Sequence, residues 1–317
     1  MGRGKRQSTS AIGAAHSQPS SGPTLNVPGT INPYTRRISE LFQHLPPELL
    51  PPGGNSTKSP RIPSQASSDF LIHAAQGDWA EALVMAGIND ASLSFESHAY
   101  GQSGNLLVAG DPGFREFFIG HREELKAIGK RPDQLLYGRG CNLPNLIQAS
   151  DPLVTSALAA LEIRSSSYIV ADYEKYLATQ KPKGRSFLSF TVKREDMVLA
   201  RRWIDHFGVR HFYVQDFCDR IYAISFEQVL DTLSHPDGKN KLFTIEKNAR
   251  NQFKPTAHVN LICGQRVGDI VYPGGGSIPH GISERHEMSN GRVIHWTRVE
   301  GGTAVFDPDA LSQVLGQ

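Results

Sequence analysis

The chain has 317 residues, with 33 Lys+Arg against 31 Asp+Glu and a formal charge of +2. Hydrophobic residues make up 39% and charged residues 20%, which excludes a collagen-like chain, a disulfide scaffold and a wholly disordered protein. The length suits one large domain or two small ones, and the near-zero balance lacks the basic footprint that usually marks a nucleic-acid protein.

The predicted elements begin with an arm over residues 1–66. Residues 1–62 carry a balance of +5 and the rest of the chain −3, and half of the 20 prolines precede residue 65. Proline removes a backbone donor and fixes φ, so SQPSSGPT and LPPELLPPGGNSTKSP hold no regular element. The arm is expected to be partly disordered, with a short helix from about Pro33 to His44. It reads as a solvated tail or as an arm lying along a polyanion. From residue 67 to 317 the pattern is that of a folded domain. SSDFLIHAAQGDWAEALVMAGI and DPGFREFFIGHREELKAIGK read as helices, RPDQLLYG as a short strand and SALAALEIRSS as a buried strand. SSYIVADYEKYLATQ is helical, GRSFLSFTVK strand-like, REDMVLARRWIDHFG an amphipathic helix ending at Gly208, and VRHFYVQDFCDRIYAIS one or two strands. FEQVLDTLSHPDG is a helix, KLFTIEKNARNQFKPTAHVNLI two strands around a polar loop, and DIVYPGGGSIPHGI a glycine-rich loop. Interleaved strands and helices imply an α/β or α+β core with a mixed sheet.

Asp133 and Glu162 stand out. Leu135 and Leu136 follow the first, and Ala157 to Leu161 precede the second. A carboxylate at the edge of a buried strand is costly unless paired or bound to a cation. Two of them on neighbouring strands suit Mg²⁺, which takes one or two carboxylates with waters and phosphate oxygens and can activate water against a phosphodiester. Arg164, two residues past Glu162, shares its strand face. Lys193 ends the next predicted strand and is expected to reach the same point from beside it. Arg clamps phosphate and is a poor base, so Lys193 is favoured for water activation and Arg164 for phosphate contact.

The runs RPDQLLYG, ALAALEIRSSSYIVADYEKY, SFLSFTVKREDM and HFYVQDFCDRIYAISFEQVL resemble the PD-(D/E)XK nucleases, specifically type II restriction endonucleases of the AccI-like kind, over about residues 70–262. The resemblance implies a restriction-endonuclease-like core with a mixed central sheet flanked by helices. It implies Mg²⁺ held by Asp133 and Glu162, and cleavage of double-stranded DNA at a short specific site. The family's motif Lys falls on Arg164, a departure that keeps Lys193 in play. Some members also recruit an acid from the preceding helix, for which Glu116 and Glu124 are candidates. A palindromic site is usually matched by a two-fold protein, so a homodimer is expected, with a companion DNA methyltransferase acting on the same site.

Lys247, Asn248, Arg250, Asn251, Gln252 and Lys254 crowd the loop between KLFTIE and AHVNLI, types that read guanine and adenine edges in the major groove. Ser165, Ser166 and Ser167 are expected to cap the following helix, with phosphate contact as a second role.

Other readings stay open. A structure-specific DNA repair nuclease of the same superfamily and a catalytically silent DNA-binding protein fit the same residues. Cys141, His295 and Asp307 occur in the order of a papain-like peptidase, though GRGCNLPNLI does not clearly place the cysteine at a helix start. PGGGSIPHG does not match a phosphate loop, and His280 and His286 lack zinc-helix spacing. Three scattered cysteines, no apolar run of about 18 residues and no apolar stretch behind the basic N-terminus point to a cytoplasmic protein.

Overall fold

The computed structural model describes residues 32–51, 67–91, 93–101, 108–143, 147–148, 152–180, 186–247, 254–276, 278–288 and 290–316. Strands and helices are numbered in chain order. A seven-stranded mixed sheet runs in spatial order β1 (Phe95–Ala99), β2 (Gln134–Gly138), β3 (Ala159–Ser165), β5 (His211–Asp216), β6 (Arg220–Ser225), β9 (Gln265–Val271) and β12 (Thr303–Phe306). Only β3 and β5 are parallel, with Glu162 opposite Tyr213. A second, antiparallel sheet has the order β4 (Ser189–Lys193), β8 (Thr256–Asn260) and β7 (Phe243–Glu246). The strands β10 (His280–Glu287) and β11 (Val293–Glu300) make a two-stranded ribbon. The α/β fold with a mixed central sheet matches the expectation.

Helices cover both faces of the large sheet. On one lie α2 (Ser68–Asp90) and α7 (Pro308–Leu315), packed on Leu161, Ile163, Phe212 and Val214. On the other lie α1 (Pro33–Gln43), α5 (Arg194–Phe207) and α6 (Phe226–Ser234), with the small sheet, around Tyr213, Trp203 and Phe226. Double coverage explains why all six residues of β5, HFYVQD, are buried, the polar His211, Gln215 and Asp216 included. The helix α5 follows the rules for its ends: Glu195 and Asp196 occupy its first turn, and Gly208 closes it at φ 70°. Trp203 is fully buried on its inner face, and truncating such a side chain costs about 3–5 kcal/mol.

The predicted helix near Pro33 is α1. Its Ile38, Leu41 and Phe42, with Leu45 and Leu49 beyond, belong to the main core, so residues 33–49 pack with the body. Asn32 donates its amide to the Gly208 carbonyl at 2.9 Å, and the Tyr34 hydroxyl accepts from the His211 amide at 3.1 Å. Residues 1–31 and 52–66 of the predicted arm lie outside the described residues.

Strand order is where the sequence reading needs correction. The strand ending in Lys193 was expected beside the Glu162 strand, but that place is filled by β5. β4 pairs with β8 instead, a partner almost 70 residues away that no local pattern announces (Thr191 faces His258). β1, β9, β10, β12 and α7 were not anticipated as elements, and the two ends of the predicted glycine-rich loop, residues 269–271 and 280–282, belong to β9 and β10. Among the described residues no helix is long and apolar enough to cross a membrane, and all three cysteines are free.

Candidate active site

Asp133 sits one residue before β2, and the β2–β3 register runs from Gln134 opposite Leu161. One further step sets Asp133 across from Glu162, so the two acids do come from neighbouring strands. The backbone pins Asp133 on both sides. Its amide donates to the Leu161 carbonyl at 2.9 Å, and its own carbonyl accepts from Tyr100 and Gly101. Its Oδ2 accepts from the Ile163 amide at 2.6 Å. Burial, then the nearby Glu162 charge, push its carboxyl well above the usual carboxylate range.

Glu162 is only 3% exposed and is held by two cations. Its Oε1 accepts from Lys130 Nζ, and Arg164 Nη2 lies 2.9 Å from the same oxygen. Burial alone would raise its carboxyl, but Lys130 and Arg164 outweigh that and hold it below the usual range. Arg164 also donates to Asp196 Oδ2 of α5 at 2.6 Å, which anchors the guanidinium. Behind the site, burial pulls the His211 imidazole down to about 4, so it is neutral, and its Nδ1 has no hydrogen-bond partner among the described residues.

Lys130 was missed in the sequence. It follows α3 (Phe114–Ala127), and the turn that delivers it depends on Gly129. Gly129 has φ +87°, and a Cβ there would collide with the Leu199 carbonyl of α5. That close approach lets the Lys130 amide reach Leu199 at 3.3 Å and aims the side chain at Glu162. Burial would lower the ammonium, but Glu162 and Asp133 outweigh it and raise it, so Lys130 is a fixed cation. The only signal was a basic residue just past a glycine helix stop, which elsewhere marks a solvated end.

Neither candidate acid of the helix before Asp133 lies beside it. Glu116 is exposed on α3, and Glu124 is bound by Arg131 through two contacts of 2.8 and 2.6 Å. Instead Glu81 and Asp78 of α2 line a cavity of about 250 Å³ with Asp133, and the Glu81 charge contributes to raising Asp133. Burial likewise raises Asp78. Glu81 was hidden within the apolar spacing of its helix.

The hard carboxylate oxygens suit Mg²⁺. One oxygen of each acid is engaged, while Asp133 Oδ1 and Glu162 Oε2 make no hydrogen bond among the described residues. Two carboxyl groups brought together from neighbouring strands, with burial first and the Glu162 charge second disfavouring the ionised Asp133, make a place where a divalent cation would relieve the cost of both charges. Among the described residues no group of three or more His, Cys, Asp or Glu is placed to hold a metal ion together.

The remaining candidates are dispersed. Lys193 ends β4 in the second sheet, is exposed, and makes no contact with Glu162; it shares a cleft of about 270 Å³ with Arg164. Of the loop residues, Lys247 is exposed at the end of β7, and Lys254 pairs with Glu195 at 2.9 Å. Asn248, Arg250, Asn251 and Gln252 lie outside the described residues. No Ser165–Ser167 side chain caps α4 (Val170–Thr179); the Asp219 carboxylate accepts from Val170 and Ala171 instead. Cys141 lies in the turn after β2, His295 is exposed on β11, and Asp307 caps α7. No hydrogen bond joins these three, so the fold gives the peptidase order no constellation.

The chain matches a family model described as AccI restriction endonuclease over residues 32–183 and 178–317. No curated protein and no solved structure matches it.

Proposed function

The chain belongs to the AccI restriction endonuclease family, the enzymes of which cleave DNA at specific sites, and we propose from this that Asp133 and Glu162 bind Mg²⁺ and direct hydrolysis of both strands at a short palindromic site. The observation that carries the reading is the pair of oxygens, Asp133 Oδ1 and Glu162 Oε2, presented from adjacent strands beside two cations. Mg²⁺ at such a site supplies an activated water and offsets the extra negative charge on the phosphate under attack.

The chain's own groups do the rest. Lys130 and Arg164 keep Glu162 ionised and place positive charge where a non-bridging phosphate oxygen sits. Asp196 fixes Arg164, which clamps phosphate without exchanging protons. In the reaction a water oxygen bonds to phosphorus and gives up a proton to solvent, the bond to the leaving 3′ or 5′ oxygen breaks, and that oxygen takes a proton from solvent, so that water is added across the P–O bond. Lys130, held cationic, fills the position beside Glu162 that the sequence reading divided between Arg164 and Lys193. Glu81 supplies further negative charge on the Asp133 side. The loop 247–254 carries the base contacts, the chain acts as a homodimer, and a separate companion methyltransferase modifies the same DNA site.

Sequencing the ends of plasmid DNA digested with Mg²⁺ tests it. A single short palindrome at every end is expected. Random ends refute site specificity, and cleavage confined to branched DNA favours the repair-nuclease alternative.

A further inference from the structure

We propose that the cleft between the two sheets is a subsite for a second phosphodiester group of the bound strand, neighbouring the one that is cut, with Lys193 as its cation. The proposal rests on the nuclease reading and adds a binding site to it. The cleft, about 270 Å³, is lined by Arg164, Ser166 and Gln215 from the large sheet's side and by Ser189, Thr191 and Lys193 from β4, with no Asp or Glu among the described lining residues. Two cations and several neutral donors without an acid make an anion site.

Two further observations point the same way. Lys193 forms no ion pair among the described residues, in contrast to Lys130, Arg164 and Lys254, each of which is paired. The Arg164 Nε is buried and donates to nothing among the described residues, so this guanidinium has a donor left after Glu162 and Asp196 are served. Arg164 is thus paired with Glu162 and also lines the cleft, which joins the carboxylate site to Lys193 through one side chain.

The hydroxyls on the β4 wall are set from behind. His258 of β8 is 7% exposed, with Nε2 3.0 Å from Glu246 Oε2 and Nδ1 3.4 Å from Ser189 Oγ and 3.5 Å from Thr191 Oγ1. The Glu246 carboxylate favours the proton on Nε2, which leaves Nδ1 an acceptor able to hold one of the two hydroxyls. The other hydroxyl is left to donate into the cleft. His258 is therefore a positioning residue, acting through Ser189 and Thr191.

The test is binding of a random-sequence DNA duplex in EDTA, measured over a range of salt. Each phosphate contact contributes about 0.9 to the slope of log affinity against log salt. Lys193→Met is expected to lower the slope by about 0.9, and Lys193→Arg to restore it. Ser189→Ala with Thr191→Val is expected to lose about tenfold in affinity. His258→Ala should lose a similar amount, and His258→Asn, which can still accept from a hydroxyl, should regain part of it. An unchanged slope for Lys193→Met overturns the subsite. So does normal binding by that variant with loss of Mg²⁺-dependent cutting, which would make Lys193 a catalytic group. A wild-type protein that neither binds nor cuts duplex DNA overturns the nuclease reading, and the subsite falls with it.

Discussion

The two sheets treat their charged groups in opposite ways. On the large sheet every charged group of the site is locked: Glu162 to Lys130 and Arg164, Arg164 to Asp196, and Asp133 to the Ile163 amide. On the small sheet Lys193 stands exposed at the end of β4 with no ion pair among the described residues, and Lys247 is exposed just past β7. The difference separates two tasks. Carboxylates that share a metal repel each other, so they need a buried frame that holds them together before the metal arrives. A cation that meets a polyanion gains its contact only in the complex, and a partner within the protein would compete with that contact. The total charge of +2 shows neither, because it sums over both.

Breaking the locked region gives the largest effects. Glu162→Gln keeps the shape and removes the charge, and single-turnover cleavage with Mg²⁺ is expected to fall about a thousandfold or more. Lys130→Met leaves Glu162 buried with Arg164 alone. Its side chain is 30% exposed and one cation remains, so about 2 kcal/mol is expected rather than the full cost of an orphaned buried charge. Urea unfolding should show it as a lower midpoint with an unchanged slope.

Asp133→Asn sharpens the contrast, because its sign is opposite. Burial and Glu162 raise the Asp133 carboxyl, so without metal the folded state favours its protonated form. The stability this group contributes is full at acid pH and is lost as the pH rises through the raised value. An amide escapes that loss. The metal-free variant is expected to be more stable than wild type near neutral pH by about 1 kcal/mol, a melting temperature about 2–4 °C higher. The gain should vanish at acid pH, and Mg²⁺ should stabilise wild type but not the variant. The smallest effect belongs to the small sheet: Lys254→Gln removes an exposed pair with Glu195 and should change stability by less than about 1 kcal/mol.

The two acids stand out in the sequence because each sits in or beside an apolar run, and the strand alternation that places Arg164 with Glu162 follows from spacing alone. Lys130 and Lys193 exchanged places because neither position is local information. Lys130 enters through a left-handed glycine that lets α3 end against α5. Lys193 departs because β4 finds its hydrogen bonds in β8, far along the chain. Strand existence is written in residue pattern, whereas strand order depends on long-range pairing that the pattern does not encode. The same limit hid Glu81, an acid within a helix whose apolar face points at the sheet.

The central claim is that Asp133 and Glu162 form a metal site that cuts DNA. Digestion of mixed plasmid DNA with Mg²⁺ by wild type beside Asp133→Ala tests it most directly. Discrete fragments from the wild type and intact plasmid with the variant are predicted; fragments from both, or from neither, would contradict it.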